Sequence, residues 1–87
     1  MKKWIHFTGI AGVATGQLAV EYKNNGHFVT GSDKGLFPPM SDYIQNNGIN
    51  IELGYKEKHL QSEYYNNKYN LKLKSKHPDF IVAQGAK

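Results

Sequence analysis

Glycines at positions 9, 12 and 16 follow the apolar run that ends at Phe7-Thr8, and a helix-forming stretch, Gln17 to Tyr22, follows them. A glycine turn between a strand and a helix lets the backbone approach an anionic group closely, because glycine has no side chain in the way. The helix then aims free N–H groups and the positive end of its dipole at the same place. The chemistry this spacing suits is the holding of a phosphate-bearing ligand. A dinucleotide-binding turn, Gly-x-Gly-x-x-Gly, would place glycines at 9, 11 and 14, and this chain has Ala11 and Ala14 there. A packing turn without a ligand is the plainer alternative.

Ser32 and Asp33 are the next candidates. Asp33 stands 24 residues beyond Gly9, near the offset at which an acid accepts hydrogen bonds from a ribose in dinucleotide folds. Ser and Asp also cap turns through their own side chains, so both readings stand. The four histidines, at 6, 27, 59 and 77, have no metal-ligand spacing. His6 and His27 fall in predicted strands, where a structural hydrogen-bonding role is expected. No Ser-His-Asp or Cys-His arrangement can be built, so no catalytic residue and no metal site is assigned. The chain reads as one built to hold a ligand.

These residues need a scaffold that brings them together. Lys2 to Thr8 predicts a first strand, with Trp4, Ile5 and Phe7 as its β-forming residues. A helix over about 12–25 presents Val13, Leu18, Ala19 and Tyr22 on one face and stops at Asn24-Asn25-Gly26. His27 to Gly31 is a second strand, Pro39 to Asn47 a second helix ended by Gly48, and the alternating Ile49 to Leu53 a third strand. A short helical turn is expected near Glu57 to Leu60. Residues 61–77, rich in Asn, Lys and Tyr, read as a surface excursion with a short strand at Leu71-Lys72-Leu73; the Tyr64 to Tyr69 cluster could stack on nucleic-acid bases, but reads rather as a solvated loop with its aromatics packed back on the domain. Phe80 to Ala83 is a fourth strand.

Strands alternating with helices imply an α/β, Rossmann-like parallel sheet of about four strands in the order 3-2-1-4. Ligands in such folds sit beyond the C-terminal strand ends. Gly9 to Gly12, Ser32-Asp33 and Gln84 to Ala86 all fall on that edge. The chain stops just past the fourth strand, which predicts a fragment of a longer protein.

Eighty-seven residues make one small domain, without cysteine. The lack of disulfides fits a reducing, cytoplasmic setting. No apolar run is long enough to span a membrane, and no signal peptide is recognisable. The net charge of +4 comes largely from Lys56, Lys58, Lys68, Lys72, Lys74 and Lys76. It reads as a solvated lysine-rich surface rather than a nucleic-acid face.

His6-Phe7-Thr8-Gly9-Ile10-Ala11-Gly12, followed by Gly16-Gln17-Leu18-Ala19, resembles the N-terminal domain of the Mur ligases, the cytoplasmic ATP-dependent enzymes that build the peptidoglycan stem peptide. Within them it is similar to the branch that uses UDP-N-acetylmuramate and joins it to L-alanine or to a murein tripeptide. Thr30-Gly31-Ser32-Asp33 fits both, and Pro38-Pro39-Met40-Ser41 looks more like the tripeptide enzyme. Gly48-Ile49 to Gly54-Tyr55 and Pro78 to Val82 before Gly85-Ala86 continue the pattern, which covers about residues 4–60 and 78–86. Residues 61–77 look longer and more basic than is usual in the family.

The resemblance implies that this domain binds the UDP part of the substrate. Gly9 would belong to the UDP-sugar-binding turn, the backbone N–H groups of Ile10, Ala11, Gly12 and Val13 would face the diphosphate, Ser32 and Asp33 would lie against the uridine, and Gln84, Gly85 and Ala86 would form a third wall. In a parent enzyme, ATP would convert the muramyl carboxylate to an acyl phosphate, supported by Mg²⁺, and an amine would displace the phosphate. The Gly-Lys-Thr/Ser phosphate loop of an ATPase domain is absent from this chain, so ATP and Mg²⁺ are expected to belong to the remaining domains of the parent ligase. Two alternatives remain: a Rossmann domain binding NAD(P) in an oxidoreductase or regulatory protein, and a ligand-free interaction module using residues 61–77.

Overall fold

The computed structural model describes residues 2–83. The first strand, β1 (Trp4–Thr8), is followed by helix α1 (Val13–Asn24), strand β2 (Phe28–Asp33), helix α2 (Met40–Asn46) and strand β3 (Ile51–Leu53). A 3₁₀ turn (Glu57–Leu60), helix α3 (Ser62–Tyr69) and strand β4 (Phe80–Ala83) follow. The four strands form one parallel sheet in the order β3-β2-β1-β4. This is the α/β architecture expected from the alternation of apolar runs and helical stretches.

The sheet is covered on both faces, and the two covers differ in chemistry. Because side chains alternate along a strand, Ile5 and Phe7 face one way. They join Ile10, Ala19, Val20, Val29, Ile44, Ile49 and Ile51 in the apolar core beneath α1 and α2. Trp4 and His6 face the other way, with Thr30, Ser32 and Glu52 beside them in register. That second face is polar and aromatic. It is closed by Tyr65 of α3, which is 1 % exposed and packs edge-on against Trp4 and Phe28.

Several elements differ from expectation. Strand β1 begins at Trp4, not Lys2, and β2 extends through Ser32 and Asp33, so these two residues are strand rather than turn. The buried face of α1 is Gly16, Ala19 and Val20, while Val13 and Leu18 are exposed. Small residues win there because α1 lies close to α2: a Cβ on Gly16 would stand 2.7 Å from Met40 Cε and 2.9 Å from Ile44 Cδ1. The third strand covers only Ile51–Leu53. Its alternation places Ile51 in the apolar core and Glu52 under α3, and leaves Leu53 exposed.

The first half of the stretch 61–77 is helix rather than loop, and residues 70–77 are irregular. Tyr64 to Tyr69 lie in α3, which ends at Asn70 in the left-handed conformation. No strand forms at Leu71 to Leu73. That segment is held instead by Asn66, whose Oδ1 accepts from Leu73 N–H (2.8 Å) and whose Nδ2 donates to Leu73 O (3.3 Å). A tyrosine-rich helix is stable there because its hydroxyls have partners. Tyr64 and Tyr69 donate to the Glu52 carboxylate, which also meets Lys68 Nζ at 2.8 Å, and Tyr65 donates to His59 O.

Candidate functional site

The site lies at the C-terminal edge of β1 and β2, where the glycine turn links β1 to α1. Gly9 adopts φ 76°, a conformation that side chains disfavour, and this bends the chain back over β2. Its N–H and that of Ile10 both donate to Ser32 O, at 2.8 and 3.2 Å. Ala11 N–H donates to Asp33 Oδ2 at 2.9 Å, and Gly12 N–H to Gly9 O at 3.2 Å. Ile10 is fully buried and fills the space above Gly31, where a Cβ would come within 2.3 Å of Ile10 Cδ1. The turn is thus pinned by hydrogen bonds and by a packed side chain.

These bonds redistribute the expected amides. The N–H groups of Ile10, Ala11 and Gly12 point at protein acceptors. The first helical bond is made by Gly16 N–H to Gly12 O. The N–H groups of Val13, Ala14 and Thr15 have no partner among the described residues, as the first turn of a helix requires. Gly12 provides no side-chain cap, and the first turn carries no acid. An unscreened positive helix end therefore opens at the edge of the sheet.

Ser32 and Asp33, adjacent in β2, point to opposite faces. Asp33 is buried and turns toward the glycine turn. Besides Ala11 N–H, it accepts from Lys34 N–H at 2.8 Å through Oδ1. Ser32 turns toward α3, with Oγ 3.1 Å from His6 Nε2. The Asp33 carboxylate ties strand to turn.

Beside Ser32 a groove of about 240 Å³ is lined by His6, Thr8, Tyr55, Lys56, Glu57 and Leu60. Tyr55, half exposed, directs its hydroxyl toward Asp33 Oδ1 at 3.4 Å, and burial together with the Asp33 charge raises its pKa. His6 is buried, and desolvation lowers its pKa to about 4, so it is neutral at pH 7. Reading the sequence for motifs missed Thr8, Tyr55 and Lys56. The signal was the Gly54-Tyr55 pair closing the third strand, which must end on this same edge. Gln84, Gly85 and Ala86 lie outside the described residues. A larger cavity of about 540 Å³ lies between α3 and the Lys76-His77 segment, with no predicted site residue on its wall.

Among the described residues, no three His, Asp or Glu side chains converge as a metal site would need. No helix among them is long and apolar enough to cross a membrane.

The comparisons with known proteins agree with this architecture. The family described as "Mur ligase family, catalytic domain" matches residues 4–86. Two curated relatives carry the name UDP-N-acetylmuramate–L-alanyl-γ-D-glutamyl-meso-2,6-diaminoheptandioate ligase. The one from Escherichia coli is 41 % identical and the one from Haemophilus influenzae 42 % identical, each over 59 residues. That match covers 68 % of this chain and 13 % of either relative. A murein peptide ligase from Psychrobacter arcticus superposes with a TM-score of 0.73 at 37 % identity, over 93 % of this chain and 14 % of that one. A UDP-N-acetylmuramate:L-alanyl-γ-D-glutamyl-meso-diaminopimelate ligase from Neisseria meningitides superposes with a TM-score of 0.67 at 26 % identity, over all of this chain and 23 % of that one. With its sheet order, its glycine turn and nearly its whole length matched, the chain belongs to the Mur ligase family.

Proposed function

We propose that this chain is the N-terminal, substrate-holding domain of a Mur-type ligase and binds the UDP part of UDP-N-acetylmuramate. The observation that carries the reading is the open end of α1: three backbone N–H groups, Val13 to Thr15, without partners, at the strand edge where such folds bind ligands. A diphosphate suits three convergent donors and a positive helix end with no acid beside it. The turn residues Gly9, Ile10, Ala11 and Gly12 hold that end in place, and Val13 supplies the first of the free amides. The uridine would lie along the groove beside Ser32, with Tyr55 and Lys56 on its wall. Asp33 would act from behind by fixing the turn. Gln84, Gly85 and Ala86 are proposed as a third wall.

The names of the relatives favour a murein tripeptide over L-alanine as the acceptor. Ligation itself would depend on ATP and Mg²⁺ held by further domains of the parent enzyme. The residues described here do not fit a magnesium site, and no step of the phosphoryl chemistry is assigned to them. The setting proposed is cytoplasmic, with neither nucleic acid nor membrane as partner. The dinucleotide alternative needs Asp33 for a ribose and glycines at 11 and 14, where this chain has Ala11 and Ala14.

Calorimetric titration with UDP-N-acetylmuramate, comparing the native chain with Gly12→Val, tests the reading. Gly12 has φ −69° and ψ 152°, which any residue can adopt. The variant should therefore fold and lose binding, because a branched side chain would stand in the diphosphate approach. Equal affinity in the two proteins would place the ligand elsewhere.

A further inference from the structure

Leu71-Lys72-Leu73-Lys74 alternates as a strand does, and none of the described strands pairs with it. The chain runs through 71–74 without a turn or bend, with the leucines half-buried and the lysines exposed. One side of this segment is occupied. Leu71 N–H donates to Asn66 O at 3.2 Å, and the Asn66 side chain takes both the N–H and the carbonyl of Leu73. Along an extended chain, successive residues turn their backbone groups to opposite sides. Those of Lys72 and Lys74 therefore face away from α3, and none of them has a partner among the described residues.

Lys72 and Lys74 border a groove of about 340 Å³. Lys2, Lys3, Trp4 and Phe28 form its other wall, at the N-terminal ends of β1 and β2. This is the edge of the sheet opposite the glycine turn. None of the four lysines forms an ion pair among the described residues. The one carboxylate on the wall, that of Asp79, is engaged by Trp4 N–H at 2.8 Å. Free backbone donors and acceptors, a positive rim and two aromatic side chains thus meet in one groove.

We propose that residues 71–74 are an open strand edge that takes an extended acidic peptide segment as its partner, lying in this groove. The peptide backbone pairs with the free N–H and carbonyl groups of Lys72 and Lys74, as in strand addition to a sheet edge. Its carboxylates meet Lys2, Lys3, Lys72 and Lys74, and apolar residues between them pack on Trp4 and Phe28. Charge decides which strand is admitted. Lysines on an edge repel a second copy of that edge, since like charges would stand opposite each other. Nucleic acid fits less well. A phosphate backbone offers acceptors but no donors for the two carbonyls, and the chain has no arginine, the side chain that grips phosphate through two bonds. The groove is separate from the proposed UDP site and does not depend on it.

The test titrates a short blocked peptide of alternating glutamate and valine into the ¹⁵N-labelled chain. The Lys72 and Lys74 amides should move most and become protected from hydrogen exchange, and Trp4, the sole tryptophan, should change its fluorescence. Methylating the peptide nitrogens should cost about tenfold or more in affinity. Lys72→Glu combined with Lys74→Glu, on side chains exposed to solvent, should cost about as much again. The same peptide with lysine in place of glutamate should not bind. Binding that survives N-methylation, or that leaves the Lys72 and Lys74 amides unmoved, is charge attraction alone and overturns the strand edge. Tighter binding of single-stranded oligothymidylate than of the peptide at the same salt assigns the groove to nucleic acid and overturns the proposal. So does the absence of any binding of the acidic peptide.

Discussion

Asp33 Oδ2 accepts a hydrogen bond from the Ala11 backbone at 2.9 Å, which joins the last residue of β2 to the middle of the glycine turn. Its second oxygen accepts from Lys34 N–H at 2.8 Å, so the carboxylate bridges two segments while staying buried. The consequence is at α1. With the turn held from behind, the free amides of the first helical turn are presented at a fixed place on the strand edge.

Asp33→Ala should lower stability by about 2 kcal/mol, the cost of leaving buried backbone donors without their charged acceptor. Asp33→Asn should cost less, because an amide oxygen still accepts one of the two bonds. Urea unfolding measures the loss, and hydrogen exchange at the Ala11 amide should quicken in both variants. An unchanged Ala11 exchange rate would mean that the carboxylate does not hold the turn.

Gly16 is the contact between the helices, not a ligand position. Gly16→Ala should destabilise the fold by roughly 1–3 kcal/mol through overpacking. The new methyl would press on Met40 and Ile44 and also come within 3.0 Å of Ile10 O, a backbone atom with little freedom to move. Thermal or urea unfolding reads this directly, and a neutral result would show that α1 and α2 can separate freely.

Glu52 organises the polar face. It is 2 % exposed and receives Tyr64, Tyr69 and Lys68 together. Burial opposes its charge, but these donors prevail and its pKa is lowered, while Lys68 and the two tyrosines are held protonated. Glu52→Ala should cost about 2–4 kcal/mol, whereas Lys68→Met, on the half-exposed partner, should cost about 1 kcal/mol or less. A double-mutant cycle on urea unfolding gives the coupling. Equal effects of the two substitutions would contradict a buried carboxylate as the centre of the network.

Much of this was legible in the sequence. The runs Trp4 to Thr8 and Phe80 to Ala83 are short and apolar, as parallel strands are, and the glycines at 9, 26 and 48 mark the element ends, so the sheet order followed. The second sheet face did not. Its cover is Tyr65 and a set of hydroxyls, and a helix that docks through hydrogen bonds has no apolar stripe to announce it. Glu52 read as the polar half of an alternating strand because nothing in its neighbours shows that Tyr64 and Lys68 return to it. The protein partners of the turn amides were hidden for a related reason. Spacing places them at the edge, but only the register between β1 and β2 decides that Ser32 O and Asp33 take them.

Acid should destabilise the fold before its carboxylates titrate. The folded His6 has a pKa near 4, against the usual 6.5 of an unfolded histidine. Between those values the unfolded chain binds a proton that the folded one refuses. Stability is therefore full above pH 6.5, falls as pH drops toward 4, and loses up to about 3 kcal/mol from this group. His59, lowered by burial, acts in the same direction, and Glu52 adds a further loss as pH falls below its unfolded value of 4.5. Urea midpoints at pH 7 and pH 5 measure the slope, and equal midpoints would contradict a buried neutral His6.

The central claim is that the open end of α1 receives the diphosphate of a UDP-sugar. Amide chemical shifts of the ¹⁵N-labelled chain, followed while UDP-N-acetylmuramate and, separately, NADH are added, test it most directly. The account predicts that the UDP-sugar moves the Val13, Ala14 and Thr15 amides most and the Ser32 amide with them, and that NADH leaves all of them in place. Movement of those amides with NADH alone, or movement confined to residues away from this edge with the UDP-sugar, would contradict it.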